Sequence, residues 1–559
     1  MNSTTIADDI RPFPVTCPAQ SGALMWAFTA LTLCFALQVE LVFNRPVNWD
    51  EFYHLSEVHA FQQGRLHEAL QVLYARAFFW LPYLPVDAVD QIRVARLLLL
   101  GFEAFTTFAI YRMAHRFTDQ LAATLAALAY VSGGYVFEHG FSFRADPMAA
   151  AFLMGALWIM LESRLGQRGI LATALLVALG TLSTIKIVIY SPAFAGVAWL
   201  RWRESDDRRA MLLRLGALAV ISILVTVLAI GATILTLPTE GTARASKTVT
   251  TSATMVFNEG LFPQRWYAIL ACAMAPTLAI LVLITPFELR RSLLSRDRRL
   301  ALFGLFLPLA SIIIYRNSFP YFYAYILAPV AVAAAISIQE LIKRFPSRLL
   351  VVALASSAVI ASARTPREVL PAQKEVLSAV HDIFPDPVRY FDFPGMIVDF
   401  PKENFFMTTW GVRKYWIGLE PSFSEVMARE IVPLLVVNQD TLVRNQTGNE
   451  PAWELHERDG LALREGYIPH WGPLWVAGHI FPAAQLENNF TIYAPGTYTM
   501  EGATAVIDGN TIAAGATITL ARGSHSFVRS GAGEVRLRWG DHLKKPPKPF
   551  SGKPVFKDF

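Results

Sequence analysis

Cysteine is nearly absent: the 559 residues hold three, Cys17, Cys34 and Cys272. Cys34 and Cys272 fall inside apolar runs, and none follows Cys272. The C-terminal region must therefore fold without disulfides, and no metal-type cysteine cluster exists. Charge is also sparse. Asp, Glu, Lys and Arg make up 17% of the chain, below the roughly 25% usual in soluble domains. The formal net charge is +5, yet its cations sit in short loops between apolar runs. That is a topology signal, and no DNA- or RNA-binding motif accompanies it, so nucleic acid is not an expected partner. His54, His59 and His139 show no metal-ligand spacing, and a solvated or hydrogen-bonded histidine is the simpler account of each.

Apolar residues are what the chain has in quantity, at 54% with a mean hydropathy of +0.38. The first run, Ala23 to Phe43, matches the roughly 20 residues that a helix needs to cross a bilayer. It is too long for a signal-peptide core, and no small-residue cleavage pattern follows, which predicts a retained span. Further runs lie at about Val94–Ala114, Leu121–Phe137, Pro147–Leu161, Ile170–Ile185, Ile187–Leu200, Leu215–Leu237, Trp266–Phe287, Leu300–Ile314, Tyr323–Ile342 and Leu349–Ala361. The expected fold is a multi-span α-helical membrane protein of about eleven helices.

Every second loop is basic: Arg112 and Arg116; Arg164 and Arg168; Arg201 to Arg214; Arg290 to Arg299; Lys343 to Arg348. The positive-inside rule places these loops and residues 1–20 in the cytoplasm. An odd span count then puts everything after about 364 on the extracytoplasmic side of the plasma (inner) membrane. There the hydropathy drops. Residues 364–465 mix helix and strand patterns, and 466–543 alternate between turns in the manner of a β-sandwich. Residues 544–559 are Lys/Pro-rich and read as a flexible tail.

The loops opposite the basic set converge on one face. The first holds Asp50 and Glu51, flanked by Trp49, Tyr53 and His54. Helix-dipole stabilisation and capping explain such an acidic pair structurally. A partly desolvated carboxylate is also suited to general-base work. The second loop ends in Arg144-Ala145-Asp146-Pro147, either a local ion pair at a helix start or a second carboxylate with a phosphate-binding arginine. Lys186 lies inside an almost continuous apolar stretch. A charge at that depth costs about 2.5–3.5 kcal/mol and marks a functional candidate, with snorkelling as the bland alternative. The fourth loop is Pro238 to Gln264. The fifth places Arg316 beside an aromatic run that includes Tyr321 and Tyr325. It reads as an interfacial belt or as a site for a lipid phosphate or a sugar ring.

Taken together, these residues resemble the GT-C glycosyltransferases, in the branch of the protein O-mannosyltransferases and ArnT that uses polyprenyl-phosphate sugars. The resemblance runs over about residues 20–365. It is carried by Asp50-Glu51 with Tyr53, by Phe143-Arg144-Ala145-Asp146-Pro147, by the break Thr181 to Lys186, and by Tyr325-Ile326-Leu327-Ala328-Pro329. One departure stands where that family often has Lys-Pro-Pro late in the first outer loop: here the chain reads Arg76-Ala77-Phe78-Phe79-Trp80-Leu81-Pro82. The resemblance implies a catalytic domain over 21–363 that performs inverting transfer of a sugar from a polyprenyl-phosphate donor to a hydroxyl acceptor. Asp50, Glu51 and Asp146 would be catalytic. Lys186, Arg316, Arg76 and Arg144 would bind the donor phosphate, and Tyr53, His54, Tyr321 and Tyr325 the substrate. No cofactor is required, because the leaving phosphate carries its own charge. The rival readings are a flippase for lipid-linked sugars, which predicts polar residues along several spans and repeated halves, and a non-catalytic envelope-assembly protein.

Overall fold

A computed structural model of the chain describes residues 18–66, 73–235, 260–448 and 450–557. Cys17 and most of the loop Pro238–Gln264 lie outside them. Each apolar run falls on a helix or a helix pair. In chain order the helices are α1 Pro18–Asn44, α2 Trp49–Gln62, α3 Leu73–Ala77, α4 Ala88–His115, α5 Gln120–Val131, α6 Tyr135–His139, α7 Ala145–Glu162, α8 Gln167–Ser183, α9 Ser191–Glu204 and α10 Arg208–Leu235. They continue as α11 Arg265–Met274, α12 Pro276–Arg291, α13 Arg296–Phe306, α14 Pro320–Arg344 and α15 Ser347–Arg364.

Among the described residues, α1, α4, α7, α10, α14 and α15 are each long and apolar enough to cross a membrane. The other runs are shorter or broken. Trp266–Phe287, expected as one span, is two helices, α11 and α12, meeting at 108° where Pro276 removes a backbone donor. The apolar surface sorts the helices. In α14 the whole apolar window is buried, whereas only 6% of that of α10 is, so α14 is the hub and α10 lies at the rim, facing lipid. Small residues permit the closest crossings. At Gly304 of α13 a Cβ would stand 2.5 Å from the Pro192 carbonyl oxygen of α9, so the two backbones touch there.

The basic loops gather at one end of the bundle through ion pairs. Arg112 meets Glu162 at 2.7 Å, Arg116 meets Glu204 at 2.9 Å, Arg298 also meets Glu204 at 3.0 Å, and Arg203 meets Asp297 at 3.2 Å. Asp146 sits at the opposite end of α7 from Glu162, about 24 Å away at 1.5 Å per residue.

The C-terminal region opens with α16 (Val369–Ile383). Its strands are β1 Tyr390–Phe391, β2 Leu434–Val436, β3 Tyr467–Trp471, β4 Leu474–Phe481, β5 Glu487–Ile492, β6 Gly496–Gly502, β7 Ala505–Ile507, β8 Asn510–Ile512, β9 Thr517–Leu520, β10 Gly523–Arg529 and β11 Val535–Trp539. One sheet runs β1-β2-β4-β11-β6-β9, with β3 also on β4, and a second runs β5-β10-β7-β8. The sheets meet face to face: Phe481 of β4 and Phe527 of β10 stack with centroids 3.8 Å apart. The boundary expected near 465 does not separate the sheets, because β1 and β2 extend the sheet that β4 and β11 build. A short helix, α17 (Thr409–Trp416), lies between β1 and β2 in sequence.

The Lys/Pro-rich end, expected as a flexible tail, is instead laid along this region over its described residues. Trp471 Nε1 donates to the Lys548 carbonyl at 2.8 Å, Val555 is buried, and Phe556 packs edge-on against Phe52 of α2. Gln373 of α16, fully buried, donates to the Val47 and Val555 carbonyls and accepts from the Val47 amide. The end of the chain is thereby tied to the entrance of α2.

Candidate active site

The site begins with the sequence Asn48-Trp49-Asp50-Glu51. Asn48 caps α2: its side chain accepts from the Asp50 amide at 3.0 Å, while the Glu51 carboxylate accepts from the Asn48 amide at 3.0 Å. This reciprocal box fixes the first turn, and the helix dipole favours both carboxylates there. The two then diverge in role.

Glu51 turns inward to Arg96 of α4, with Oε1 2.8 Å from Nε and Oε2 2.5 Å from Nη2; both side chains are 1% exposed. Glu51 also accepts from the Phe143 amide at 2.8 Å. Burial alone would raise its pKa, but the Arg96 charge and these hydrogen bonds hold it at about 2. Arg96 spends its other donors on the Arg45, Pro46 and Val42 carbonyls. Glu51, expected among the catalytic residues, is therefore enclosed. It positions α2 and the Phe143 turn, and it has no face left for a substrate.

Asp50 points the other way and pairs with Arg144, the residue after Phe143. The Arg144 Nε lies 3.7 Å from Asp146 Oδ2, and Asp146 pairs in turn with Lys186. The four charges alternate, two of each sign, and all are buried or nearly so. Local structure delivers each of them. Asp146 stands in the first turn of α7. Lys186 is the second residue of the 3-10 turn Ile185–Tyr190, where the Thr184 hydroxyl accepts from its amide at 3.3 Å. Lys186 does not snorkel; it is held inside by Asp146.

Tyrosines wall this row. The Arg144 guanidinium carbon is 3.4 Å from the centre of the Tyr321 ring. Lys186 Nζ is 5.6 Å from that ring and 5.7 Å from Tyr325. The Tyr190 hydroxyl donates to the Tyr325 carbonyl at 2.6 Å, pinning the start of α14 to the Lys186 turn. The His54 ring lies 4.5 Å from that of Tyr74, tilted by 40°. Burial and the nearby Arg144 charge push its pKa well below the ordinary value.

The remaining expected residues lie elsewhere around this centre. Arg76 donates to the Thr233 carbonyl at the end of α10 and lies over Phe61. Tyr53 stacks on Phe406 of the C-terminal region at 4.3 Å with the rings 8° apart. Arg316 lies over the Trp410 ring of α17 at 3.9 Å. Arg96, Phe406 and Trp410 were not anticipated. A charge inside the second apolar run could have exposed Arg96, whereas no local signal marks the two aromatics. Among the described residues no group of three or more metal-ligating side chains occurs.

The helical bundle, with this charged row at one end and a sheet region against it, has the GT-C fold of membrane proteins. Within that class it is similar to ArnT from Cupriavidus metallidurans bound to undecaprenyl phosphate, at 13% identity and a TM-score of 0.54, covering 77% of this chain and 95% of that one. It is also similar to the Archaeoglobus fulgidus oligosaccharyltransferase in the apo form, at 11% identity and a TM-score of 0.53, covering 89% of this chain and 76% of that one. No family model matches the chain. No curated protein matches it by sequence.

Proposed function

We propose that this chain is a membrane glycosyltransferase that moves a sugar from a polyprenyl-phosphate donor to a hydroxyl acceptor on the extracytoplasmic face. The observation that carries the reading is the alternating row Asp50, Arg144, Asp146, Lys186. It sets a carboxylate beside two cations at the end of the bundle opposite the basic loops. Those loops favour the cytoplasm, which supports an outer-leaflet position for the row, within reach of a lipid phosphate. The fold likeness to ArnT, captured with undecaprenyl phosphate, supports the same donor chemistry.

In this mechanism the donor phosphate competes with the carboxylates for Arg144 and Lys186. Asp50, released from Arg144, takes the proton of the acceptor hydroxyl. The acceptor oxygen forms its bond to the anomeric carbon as the bond to the phosphate oxygen breaks, with inversion. The electron pair leaves on the polyprenyl phosphate, where Arg144 and Lys186 stabilise it. Asp146 pairs with Lys186 and aims it at the row. Tyr321 fixes the plane of Arg144. Glu51 and Arg96 hold the framework without touching substrate.

The test is transfer by the purified full-length chain in lipid vesicles, supplied with a panel of polyprenyl-phosphate sugars and read by mass spectrometry of the product. Formation of free polyprenyl phosphate together with a glycosylated acceptor, lost in Asp50→Asn, is the expected result. Movement of intact donor across the bilayer without bond cleavage would replace the reading by the flippase one.

A further inference from the structure

Arg45, the residue after α1, carries a guanidinium that no carboxylate pairs with among the described residues. Its Nη1 donates to Ser142 Oγ at 3.4 Å, and its Nη2 lies 3.2 and 3.5 Å from the two ring nitrogens of His139. The charge of Glu138 is felt at Arg45, yet the two form no ion pair. A partly buried guanidinium ordinarily meets a carboxylate or a phosphate; this one meets a hydroxyl and an imidazole. It stands next to the charged row. The Ser142 carbonyl accepts from the Arg144 amide at 2.7 Å. The Arg45 carbonyl accepts from Arg96 Nη1 at 3.0 Å, and Arg96 holds Glu51, the neighbour of Asp50. Beyond His139 the wall is tyrosine. The His139 ring is 6.2 Å from that of Tyr135, and Tyr135 is 5.4 Å from Tyr323 of α14. Tyr323 is 4% exposed, and its hydroxyl has no hydrogen-bond partner. A buried hydroxyl left so is costly unless something binds it. Tyr321 and Tyr325 stand one helical turn apart and face the row, while Tyr323, about half a turn from each, faces Tyr135. The turn before Tyr135 rests on the end of α11: a Cβ at Gly134 would stand 2.9 Å from Met274 Cβ. No residue of α11 is buried, so this side of the cluster borders the lipid-facing edge of the bundle.

The geometry points to a second anion site, in which Arg45 takes a phosphate carried by an amphiphilic glycolipid acceptor and the Tyr135–Tyr323 wall takes its sugar. The inference rests on the glycosyltransferase reading and deepens it, because it names the acceptor class. The row and this cluster lie on opposite faces of the start of α14, which keeps the donor and acceptor charges apart. The segment 139–144 joins them, with Ser142 at Arg45 and Arg144 at Asp50.

The experiment uses full-length protein in nanodiscs with undecaprenyl phosphate at saturation, so that the row is occupied. Phosphorylated octyl glucoside and uncharged octyl glucoside are then titrated, and binding is read by native mass spectrometry. Wild type should bind the phosphorylated form about 10- to 100-fold tighter, the range of a charge-assisted contact. Arg45→Gln should erase that preference and leave octyl glucoside binding unchanged, while Arg45→Lys should keep part of it. Tyr323→Phe should weaken both ligands alike, about 2- to 10-fold, for one neutral hydrogen bond. Arg367→Gln, at a side chain 73% exposed and paired with Glu40, should bind as wild type. Losses in Arg45→Gln shared equally by the two glycosides, or a preference that survives the substitution, would overturn the inference and leave the glycosyltransferase reading standing. The wild-type arm decides the matter even if Arg45→Gln disturbs folding, since no preference for the phosphorylated form would overturn it as well. Undecaprenyl phosphate that binds wild type no better than uncharged undecaprenol would instead remove the glycosyltransferase reading itself, and the inference with it.

Discussion

Asp50 and Arg144 form a buried ion pair across two chain segments that sequence separates widely, the first turn of α2 and the turn into α7. The pairing makes the unloaded site self-neutralising, and an anionic donor is the natural competitor for the arginine. Replacing Asp50 with Asn keeps the shape, frees Arg144 and removes the proton acceptor. Transfer should fall about a hundred- to ten-thousand-fold, the usual range for a lost general base. Donor binding should hold or tighten. Turnover and donor affinity measured on the same preparation separate the two effects, and wild-type turnover would remove Asp50 as the base.

Lys186 and Asp146 make the second pair, with side chains 10% and 5% exposed. Lys186→Ala leaves Asp146 buried beside Arg144 with one cation in place of two. Donor KM should rise at least tenfold, from loss of a charge-assisted phosphate contact worth about 1.5–3 kcal/mol. Lys186→Arg keeps the charge and should recover part of the loss. Donor titration of initial rates checks this, and an unchanged KM would exclude a phosphate role for Lys186.

Much of this site could be read from the chain because its charges stand where charge is costly. Lys186 in an apolar run and Asp146 at a helix start announce themselves by position. The division of labour between Asp50 and Glu51 could not be read. Both sit in the same first turn, and only the fold shows that Glu51 turns toward Arg96 while Asp50 turns toward Arg144. The bend at Pro276 was hidden for the opposite reason: hydropathy averages over a break that one proline and the packing of Ala275 impose. The Trp410 and Phe406 contacts depend on long-range docking, for which neither period nor spacing carries a signal. The order of the last residues likewise depends on Gln373, a polar residue whose partners are remote in sequence.

Glu51 and Arg96 bear on stability rather than turnover. Removing one partner leaves an uncompensated buried charge, which costs about 3–5 kcal/mol. Arg96→Leu should therefore lower the melting temperature in detergent more than Asp50→Asn does. Glu51→Gln, which keeps two acceptor contacts at most, should fall between them. The sign of the pH effect follows from the depressed carboxyl. Its stabilisation is present above the unfolded value near 4.5 and is lost as pH falls through the folded value of about 2. Wild type should thus lose melting temperature between pH 4.5 and 2 by a component missing in Glu51→Gln. Parallel melting curves for the two proteins over that range would contradict the assignment.

Gln373 ties three segments with one amide: it bonds both backbone groups of Val47 and the Val555 carbonyl, and it is fully buried. Gln373→Leu fills a similar volume but strands the Val47 amide and two carbonyls. Each buried unsatisfied group costs about 1–3 kcal/mol. The loss should fall on the docking of the chain end and on the approach to α2, because Phe556 packs on Phe52 only if Val555 is held. Limited proteolysis should therefore cut within 544–557 in Gln373→Leu under conditions that spare the wild type, with the remainder of the fold still resistant. Transfer activity should decline with it, since Asp50 rides on the same first turn that Val47 leads into. Cleavage at wild-type rates would show that this amide does not hold the end in place.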